Sequence, residues 1–193
     1  MAMNLLAGGL GTAGNHEDAL TVLEAELSML RRLGDSGENM LISQSNLANA
    51  YLLVGREDRA LHMRQEIHSG RLMLLGEEHR DTHSAAINYG SSLMTLGRFE
   101  EARTLLRKTM PVMRRTLGDN DELTLNIRWG YAQSLYKDPS ATLDDLREAV
   151  ETLADAERIA RRVFGGTHPL LVSIERNLRR AQETLRAREP PNA

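Results

Sequence analysis

The chain contains 193 residues, of which 41% are hydrophobic and 26% are charged, and its formal net charge is −3 at pH 7. Because it has no cysteine, a disulfide framework, a thiolate metal site and a cysteine nucleophile are excluded. The charge is too close to neutral for a general nucleic-acid-binding protein, and no run of about 18 apolar residues could span a membrane. We therefore predict a cytoplasmic protein with no nucleic-acid or membrane partner.

A segment of about forty residues recurs along the chain. Leu53–Ala60 (LVGREDRA) lines up with Thr95–Ala102 (TLGRFEEA), so that Gly97 follows Gly55 by 42 positions. A fixed period of this length is the signature of a repeat architecture. We predict copies at about residues 1–36, 37–78, 79–120 and 121–167, then a capping helix at 168–188 and a disordered tail at 189–193.

In the first copy, Gly9-Leu10-Gly11-Thr12-Ala13-Gly14 fits the pattern of three spaced glycines that binds dinucleotides. That chemistry needs a preceding strand and a helix whose amino end faces the pyrophosphate. No strand pattern precedes these glycines, and the repeat register instead places residues 8–13 in a helix that ends at Gly14. We therefore expect a terminal helix here and no cofactor.

The second copy has the pattern of two helices. Asn46, Leu47, Ala50, Tyr51 and Val54 recur at steps of three and four residues, which predicts a helix that ends at Gly55. A second helix is predicted from about Glu57 to Leu75, with Ala60, Met63 and Ile67 on one face and Gly76 as its stop. Small residues at Ala60, Ala102 and Ala149 would let the two helices of a copy approach closely. No stretch alternates apolar and polar residues, so no strand is expected.

One histidine pair and one acidic loop are candidate metal sites in the later copies. His79 and His83 are four residues apart, a spacing that could share a metal on a helix, but Arg80 stands where the zinc-protease pattern needs glutamate. Asp138, Asp144 and Asp145 could form a cation loop, or a longer turn followed by a helix that Ser140 or Thr142 caps. We favour a cap or packing role for the histidines and the capped helix for the acids, and predict no metal.

The recurring motifs resemble the tetratricopeptide repeat. The order is Asn46-Leu47-Ala48 with Tyr51, then Gly55-Arg56 with Ala60, then Leu75-Gly76 with His79. The long period and the Leu-Gly-x-x-His element resemble the kinesin light chain variety of this repeat, and Thr167-His168-Pro169 has the most family-like form of the boundary. The resemblance implies an all-α, right-handed α-solenoid of helical hairpins with a C-terminal capping helix.

Three positions depart from the family pattern. Arg64 stands where Leu23, Leu106 and Leu153 indicate a large buried residue. Asp121 replaces the boundary histidine, and Gly130 replaces the asparagine of the first helix.

The resemblance also implies a concave groove lined by the first helix of each copy, which holds a peptide or helix of a partner. Carried over by register, the partner-binding residues are Ser45, Asn46, Asn49, Leu53, Ile87, Asn88, Ser91, Asn126, Trp129, Gln133, Tyr136 and Asn177. Asparagine side chains can both donate to and accept from a peptide backbone. Trp129 is either an anchor in this groove or a packing residue. Because Ser45, Asn49, Asn88, Asn126 and Gly130 carry no charge, we predict no clamp for a C-terminal carboxylate.

No catalytic constellation is found, since no serine lies near a histidine and an acid in a nucleophile elbow. The leading hypothesis is thus a non-enzymatic interaction module, an adaptor or scaffold that binds a protein or peptide partner. The alternative is a self-assembly or regulatory segment of a larger protein, which stacks through its incomplete N-terminal copy because Leu5, Leu6 and Leu10 have no preceding helix to cover them.

Overall fold

The computed structural model describes residues 14–35 and 37–189. The glycine pattern at 9–13, the leucines at 5, 6 and 10, and residues 190–193 of the predicted tail lie outside these ranges. The described residues form eight α-helices and no strand, which confirms the all-α prediction. The helices are α1 (His16–Arg32), α2 (Glu38–Leu53), α3 (Glu57–Leu75), α4 (Arg80–Thr95), α5 (Phe99–Leu117), α6 (Glu122–Tyr136), α7 (Leu143–Phe164) and α8 (Pro169–Arg188).

Glycines in the left-handed conformation end these helices at regular intervals. Positive φ angles occur at glycines 34, 55, 76, 97 and 118, which are 21 residues apart, half of the repeat period. At Gly55, with φ of 72°, the N–H donates to the carbonyl of Leu52 at 3.1 Å and the next N–H donates to that of Tyr51 at 2.8 Å. A residue with a Cβ would be strained at this φ. The repeat in the sequence therefore reflects the glycines that end a helix every 21 residues, twice in each copy.

The described residues divide into two compact units, one before and one after the boundary between residues 96 and 97. In the first unit α1 packs against α2, α2 against α3, and α3 against α4. The predicted stripe of α2 faces this core, since Leu47, Ala50 and Tyr51 are buried. Ala60, Met63 and Ile67 of α3 join the same cluster, as their spacing predicts. Each large apolar side chain buried in this way contributes about 1.5–3 kcal/mol.

The second unit is organised around α6, which packs against α5, α7 and α8. A helix that contacts several neighbours buries more than one of its faces. The buried residues of α6 accordingly point in different directions around the helix and include Thr124, Leu125, Ile127 and Leu135. Ala102 of α5 and Ala149 of α7 are both 0% exposed, which agrees with the close approach predicted for them.

Gly130 of α6 lies against a leucine of α5. A Cβ atom added at position 130 would stand 3.4 Å from a methyl group of Leu106, which is tight for a carbon–carbon contact. A small residue at this position therefore leaves room for that leucine, which is 1% exposed.

Side-chain caps begin three of the helices in the same way. The Nδ1 atoms of His79 and His168 accept hydrogen bonds from the backbone N–H groups of Asp81 at 3.1 Å and Leu170 at 3.3 Å. Asp121, which departs from the histidine pattern, accepts from the N–H of Leu123 at 2.8 Å. These bonds satisfy amide groups that have no partner within their own helix. Of the cap or packing role favoured for the boundary histidines, the cap is thus confirmed, and Asp121 makes the same kind of hydrogen bond.

None of the helices in the described ranges combines the length and the apolar character needed to cross a bilayer.

Candidate peptide-binding site

A polar cleft in the first unit brings together three of the predicted groove residues. Ser45 and Asn49 come from α2 and Asn88 from α4, because both helices present residues of the same register to one surface. Asn49 and Asn88 are exposed, and Ser45 is half-buried. The remaining lining residues are Ala48, Arg64, Ile67, Arg71 and Ala85. The floor of the cleft is therefore α3, and its walls are α2 and α4.

Arg64 of α3 joins the two walls. Its Nη1 donates to the carbonyl oxygen of Asn88 at 2.9 Å and to Oγ of Ser92 at 2.9 Å. Its Nη2 donates to Oδ1 of Asn49 at 3.1 Å. All three acceptors are neutral oxygens, and burial lowers the pKa of the Arg64 guanidinium from its ordinary value. A charge that burial disfavours is stabilised here by hydrogen bonds alone.

Arg71 repeats this arrangement two helical turns further along α3. Its Nη1 donates to the carbonyl oxygen of Asp81 at 3.0 Å, and its own carbonyl accepts from the hydroxyl of Thr82 at 3.3 Å. Because α3 and α4 run antiparallel, residues 64 and 71 meet residues 88 and 81. Two guanidinium groups therefore lie along the same cleft.

The other predicted residues of this unit lie on the exposed side of α2 and α4 without lining the cleft. Leu53 is 63% exposed, Ser91 is exposed, and Asn46 and Ile87 are half-buried. Leu53, at the end of α2, instead lines a separate surface depression with residues 14–18 at the start of α1.

In the second unit, two of the predicted residues are buried and bind each other. Tyr136 is 7% exposed and Asn177 is 5% exposed. The hydroxyl of Tyr136 donates to Oδ1 of Asn177, whose Nδ2 donates to the carbonyl of Ser173 at 2.7 Å. Burial raises the pKa of Tyr136 above its ordinary value. These two side chains connect α6 to α8 and offer little surface to a partner.

Three further predicted residues of α6 are half-buried: Asn126, Trp129 and Gln133. The Nζ of Lys137 donates to Oε1 of Gln133, and the pKa of Lys137 is lowered by burial and then by the charge of Arg180. Nε1 of Trp129 is buried without a hydrogen-bond partner in the described structure. The indole is thus partly packed and partly accessible, so both of its predicted roles remain open.

The candidate metal sites have other structural roles. His79 lies at a helix cap and is exposed, whereas His83 is 0% exposed. Thr142 and Asp145 form a reciprocal capping box at the start of α7, which confirms the capped-helix interpretation with Thr142 as the cap. The Asp138 carboxylate accepts from the N–H of Ser140 at 2.9 Å and from Nη2 of Arg103 at 3.3 Å. Within residues 14–35 and 37–189 no group of three or more potential metal ligands occurs.

The prediction that no carboxylate clamp is present did not take account of two arginines that line the cleft of the first unit. It rested on the first helices of the copies alone, whereas both arginines project from α3, a second helix. The departure of Arg64 from the leucine pattern was the one signal in the sequence that could have revealed them. Its significance depends on contacts with residues 15 to 28 positions away along the chain.

Within each unit, consecutive helices pack against one another, and residues at equivalent positions of the repeat lie on one surface. This arrangement is that of a helical-repeat protein. Two family models, each described as tetratricopeptide repeat, match residues 41–81 and 81–138. Together these matches span just over half of the chain, which belongs to the tetratricopeptide repeat family. Repeats of this family generally mediate protein–protein interactions.

Solved structures agree with this assignment. The nearly identical TPR-like repeats of a Podosopora anserina kinesin light chain are 21% identical, with a TM-score of 0.79 over 97% of this chain and 87% of that one. A variant of the same protein gives 22% identity and a TM-score of 0.81 over 97% and 86%. BtubC (BKLC) from P. vanneervenii is 15% identical, with a TM-score of 0.63 over 99% and 82%. These likenesses confirm the α-solenoid fold class with repeats of the kinesin light chain type.

No curated protein sequence matches the chain.

Proposed function

We propose that this chain is a non-enzymatic adaptor or scaffold module that holds an extended segment or helix of a partner protein, in the cytoplasm. The cleft of the first unit carries the proposal, because Ser45, Asn49 and Asn88 were selected by repeat register and line one surface. The predicted copies at 1–36, 37–78, 79–120 and 121–167, with the capping helix at 168–188, are proposed as the units of this module.

The residues of the cleft suit a partner backbone more than a particular side chain. The exposed amide groups of Asn49 and Asn88 can form hydrogen bonds with peptide groups of a partner, whereas the apolar lining residues Ala48, Ile67 and Ala85 are almost fully buried. Because an extended segment has unsatisfied backbone groups along its whole length, a line of side-chain amides can bind it with little dependence on its sequence.

The second unit contributes a further proposed surface on α6. Asn126, Trp129 and Gln133 recur at three- and four-residue steps on one face of this helix. A partly accessible indole is a typical anchor at protein interfaces. We therefore include Trp129 in the proposal as an anchor and regard Tyr136 and Asn177 as residues that position α6 against α8.

A peptide array tests the groove. The double substitution Asn49→Ala with Asn88→Ala is expected to weaken binding of captured peptides about tenfold or more, since two hydrogen bonds of about 1 kcal/mol each are removed. Trp129→Ala, measured separately, is expected to weaken it by a similar factor if the indole is an anchor. Fluorescence anisotropy of selected peptides gives the affinities.

The matched control is Asn39→Ala, which removes an exposed asparagine of α2 that binds Asp35 outside the cleft. Its affinity is expected to equal that of the unsubstituted protein. Circular dichroism checks that every variant keeps its helices. Array binding that is unchanged by the double substitution would remove the groove from the proposal.

The alternative function, self-association through the N-terminal edge, stands on the leucines at positions 5, 6 and 10, which lie outside the described residues. Light scattering decides it: self-association predicts a mass that increases with concentration. A monomeric mass at all concentrations contradicts this alternative and leaves the groove proposal in place.

A further inference from the structure

We propose that this chain forms a two-fold symmetric dimer through the end of its first unit at which α1 and α3 finish. The occupant of this surface is therefore a second copy of the chain. The inference goes beyond the proposed function, because the surface shares no residue with the cleft. Three observations carry it: a cluster of exposed apolar side chains, the arginines that replace them in later copies, and self-complementary charges beside the cluster.

Exposed apolar side chains are concentrated at this end of the first unit. Of the nine large apolar side chains that are exposed in the described ranges, five belong to the last turns of α1 and α3 or directly follow α1. The five side chains of this end surface are Met29, Leu33, Leu72, Met73 and Leu74. Met73 is 88% exposed and Leu33 is 73% exposed. Single exposed apolar residues are ordinary, whereas a cluster of them marks an interaction site.

The fold brings the ends of α1 and α3 to one side of the unit. The two helices begin side by side, because Arg56, just before α3, binds Glu17 in the first turn of α1 at 3.1 Å. Residues 33–37 lead directly from the end of α1 to the start of α2. Near that start, Leu41 lies against Gly70 of α3, where an added Cβ atom would stand 2.8 Å from a leucine methyl group. The last turns of α1 and α3 therefore flank the start of α2.

The later copies carry arginines in the register of Leu72 and Met73. The corresponding residues are Arg114 and Arg115 in the third copy and Arg161 and Arg162 in the fourth. Two of these arginines have polar partners in the neighbouring loop: Arg114 binds Asp119 at 2.6 Å, and Nη2 of Arg162 donates to Oδ1 of Asn120 at 3.0 Å. The fold thus accepts arginine in this register, and the exposed leucine and methionine of the second copy serve a contact with another molecule.

Charges of opposite sign lie on the two sides of the end surface. Arg31 and Arg32 are exposed in the last turn of α1, and Glu77 is exposed just after α3. Glu77 corresponds to Asp119, but Leu72 stands where the next copy has the arginine that binds this acid. Within residues 14–35 and 37–189, none of these three charged side chains has a hydrogen bond or an ion pair. The α1 side of the surface is thus basic and the α3 side is acidic.

A two-fold axis matches this surface to itself. In such an interface the same patch meets its copy, so each contact occurs twice. The α1 end of one chain faces the α3 end of the other, which places Arg31 and Arg32 beside Glu77 of the second copy. The apolar side chains of the end surface lie between these two sets of charges and are removed from water. Because opposite charges meet on both sides, the charge pattern selects a second copy and fixes its orientation.

The dimer would carry two clefts. None of the five side chains of the end surface lines the cleft of Ser45, Asn49 and Asn88, so both clefts stay accessible. This consequence rests on the proposed function: two clefts on one particle hold two segments of a partner and raise its overall affinity.

Sedimentation equilibrium of the full chain from about 1 μM to about 1 mM tests the dimer. The mass is expected to rise with concentration and to level off at two copies. Met73→Glu places a charge in the apolar contact twice, and it is expected to raise the dissociation constant of the dimer about a hundredfold or more. Val163→Glu is the matched control, because Val163 is an exposed residue in the last turn of α7 and holds the register of Leu74. Its dissociation constant is expected to equal that of the unsubstituted chain.

Reversal of the charges tests the orientation of the two copies. Glu77→Arg is expected to raise the dissociation constant about tenfold, since it places like charges beside Arg31 and Arg32 of the second copy. Arg31→Glu with Arg32→Glu is expected to have a similar effect. The combination of all three substitutions is expected to restore the dissociation constant to within about threefold of the original value. Damage to the fold would not be repaired in this way.

Circular dichroism checks that each variant keeps its helices. A monomeric mass at all concentrations, or a dimer unaffected by Met73→Glu and by both charge reversals, overturns the inference. A mass that increases beyond two copies and is unchanged by Met73→Glu also overturns it and belongs to the N-terminal edge. Array peptides are expected to bind the Met73→Glu monomer with the affinity of the original chain, so the groove proposal survives if the dimer fails.

Discussion

Replacing Leu153 with alanine is expected to lower the free energy of unfolding of the chain by about 2–5 kcal/mol. Leu153 is 0% exposed and lies in the middle of α7, where its side chain is closed off by the packing of α7 against α6 and α8. Truncation removes apolar contacts and leaves a cavity that the surrounding helices only partly fill. Urea denaturation followed by circular dichroism measures the loss.

Val163→Ala is the matched control, because Val163 belongs to the same helix and is 42% exposed. It is expected to change the free energy of unfolding by about 0.5 kcal/mol or less. A cost for Leu153→Ala that is as small as the control would contradict the assignment of this position to the core of the second unit.

Alkaline solution is expected to destabilise the second unit through Tyr131. Burial, followed by a hydrogen bond to Glu148 and the charge of that carboxylate, raises the pKa of Tyr131 to about 12. The hydroxyl donates to Oε1 of Glu148 at 2.7 Å, an interaction that only the protonated phenol can make. In the unfolded chain a tyrosine ionises near its ordinary pKa of about 10.

The sign of the effect follows from proton binding. Below pH 10 the phenol is protonated in both states, and its stabilising contribution is complete. Between pH 10 and 12 the unfolded state releases a proton that the folded state keeps, so the free energy of unfolding falls as the pH rises. The expected loss is up to about 2 kcal/mol across this range.

Urea midpoints measured at successive pH values from 9 to 11.5 test this expectation. Tyr131→Phe is expected to lower the free energy of unfolding by about 1 kcal/mol at neutral pH, because it removes the hydrogen bond to Glu148. It is also expected to reduce the fall of the free energy of unfolding between pH 10 and 12. Burial also raises the pKa values of Tyr51 and Tyr136, so a smaller slope remains. Tyr89→Phe, whose ring stacks on His68, serves as control. A Tyr131→Phe protein with the original slope would refute the expectation.

The positions of the helices could be read from the sequence because the signals for them are local. The predicted helix Glu57–Leu75 has those bounds in the structure, since Gly76 stops it and acidic residues begin it. The repeat alone predicted that helices approach closely at the alanines at positions 60, 102 and 149, and all three are buried in the structure. Register also placed Asp121 at the position of the boundary histidines His79 and His168, but only the structure shows that all three cap a helix.

The composition of the candidate site was predicted less completely. Register selected Asn49 and Asn88, which line one cleft in the structure because side chains of equivalent helices face the same way; their partner-binding role stays a prediction. It also selected Tyr136 and Asn177, which instead bind each other over a separation of 41 residues. Register specifies the direction of a side chain on its own helix, and it contains no information on which helix packs over that side chain.

What the sequence determined by itself is the repeating pair of helices, because glycine stops, caps and apolar steps act within one turn or one helix. What only the tertiary structure decided is the charge and hydrogen-bond polarity of the cleft. Arg64 and Arg71 belong to a helix that register assigns to the core, and their position depends on carbonyl oxygens of α4 that no sequence pattern marks. A buried charge is stabilised by the geometry of many neighbours at once, and that geometry exists only in the folded chain.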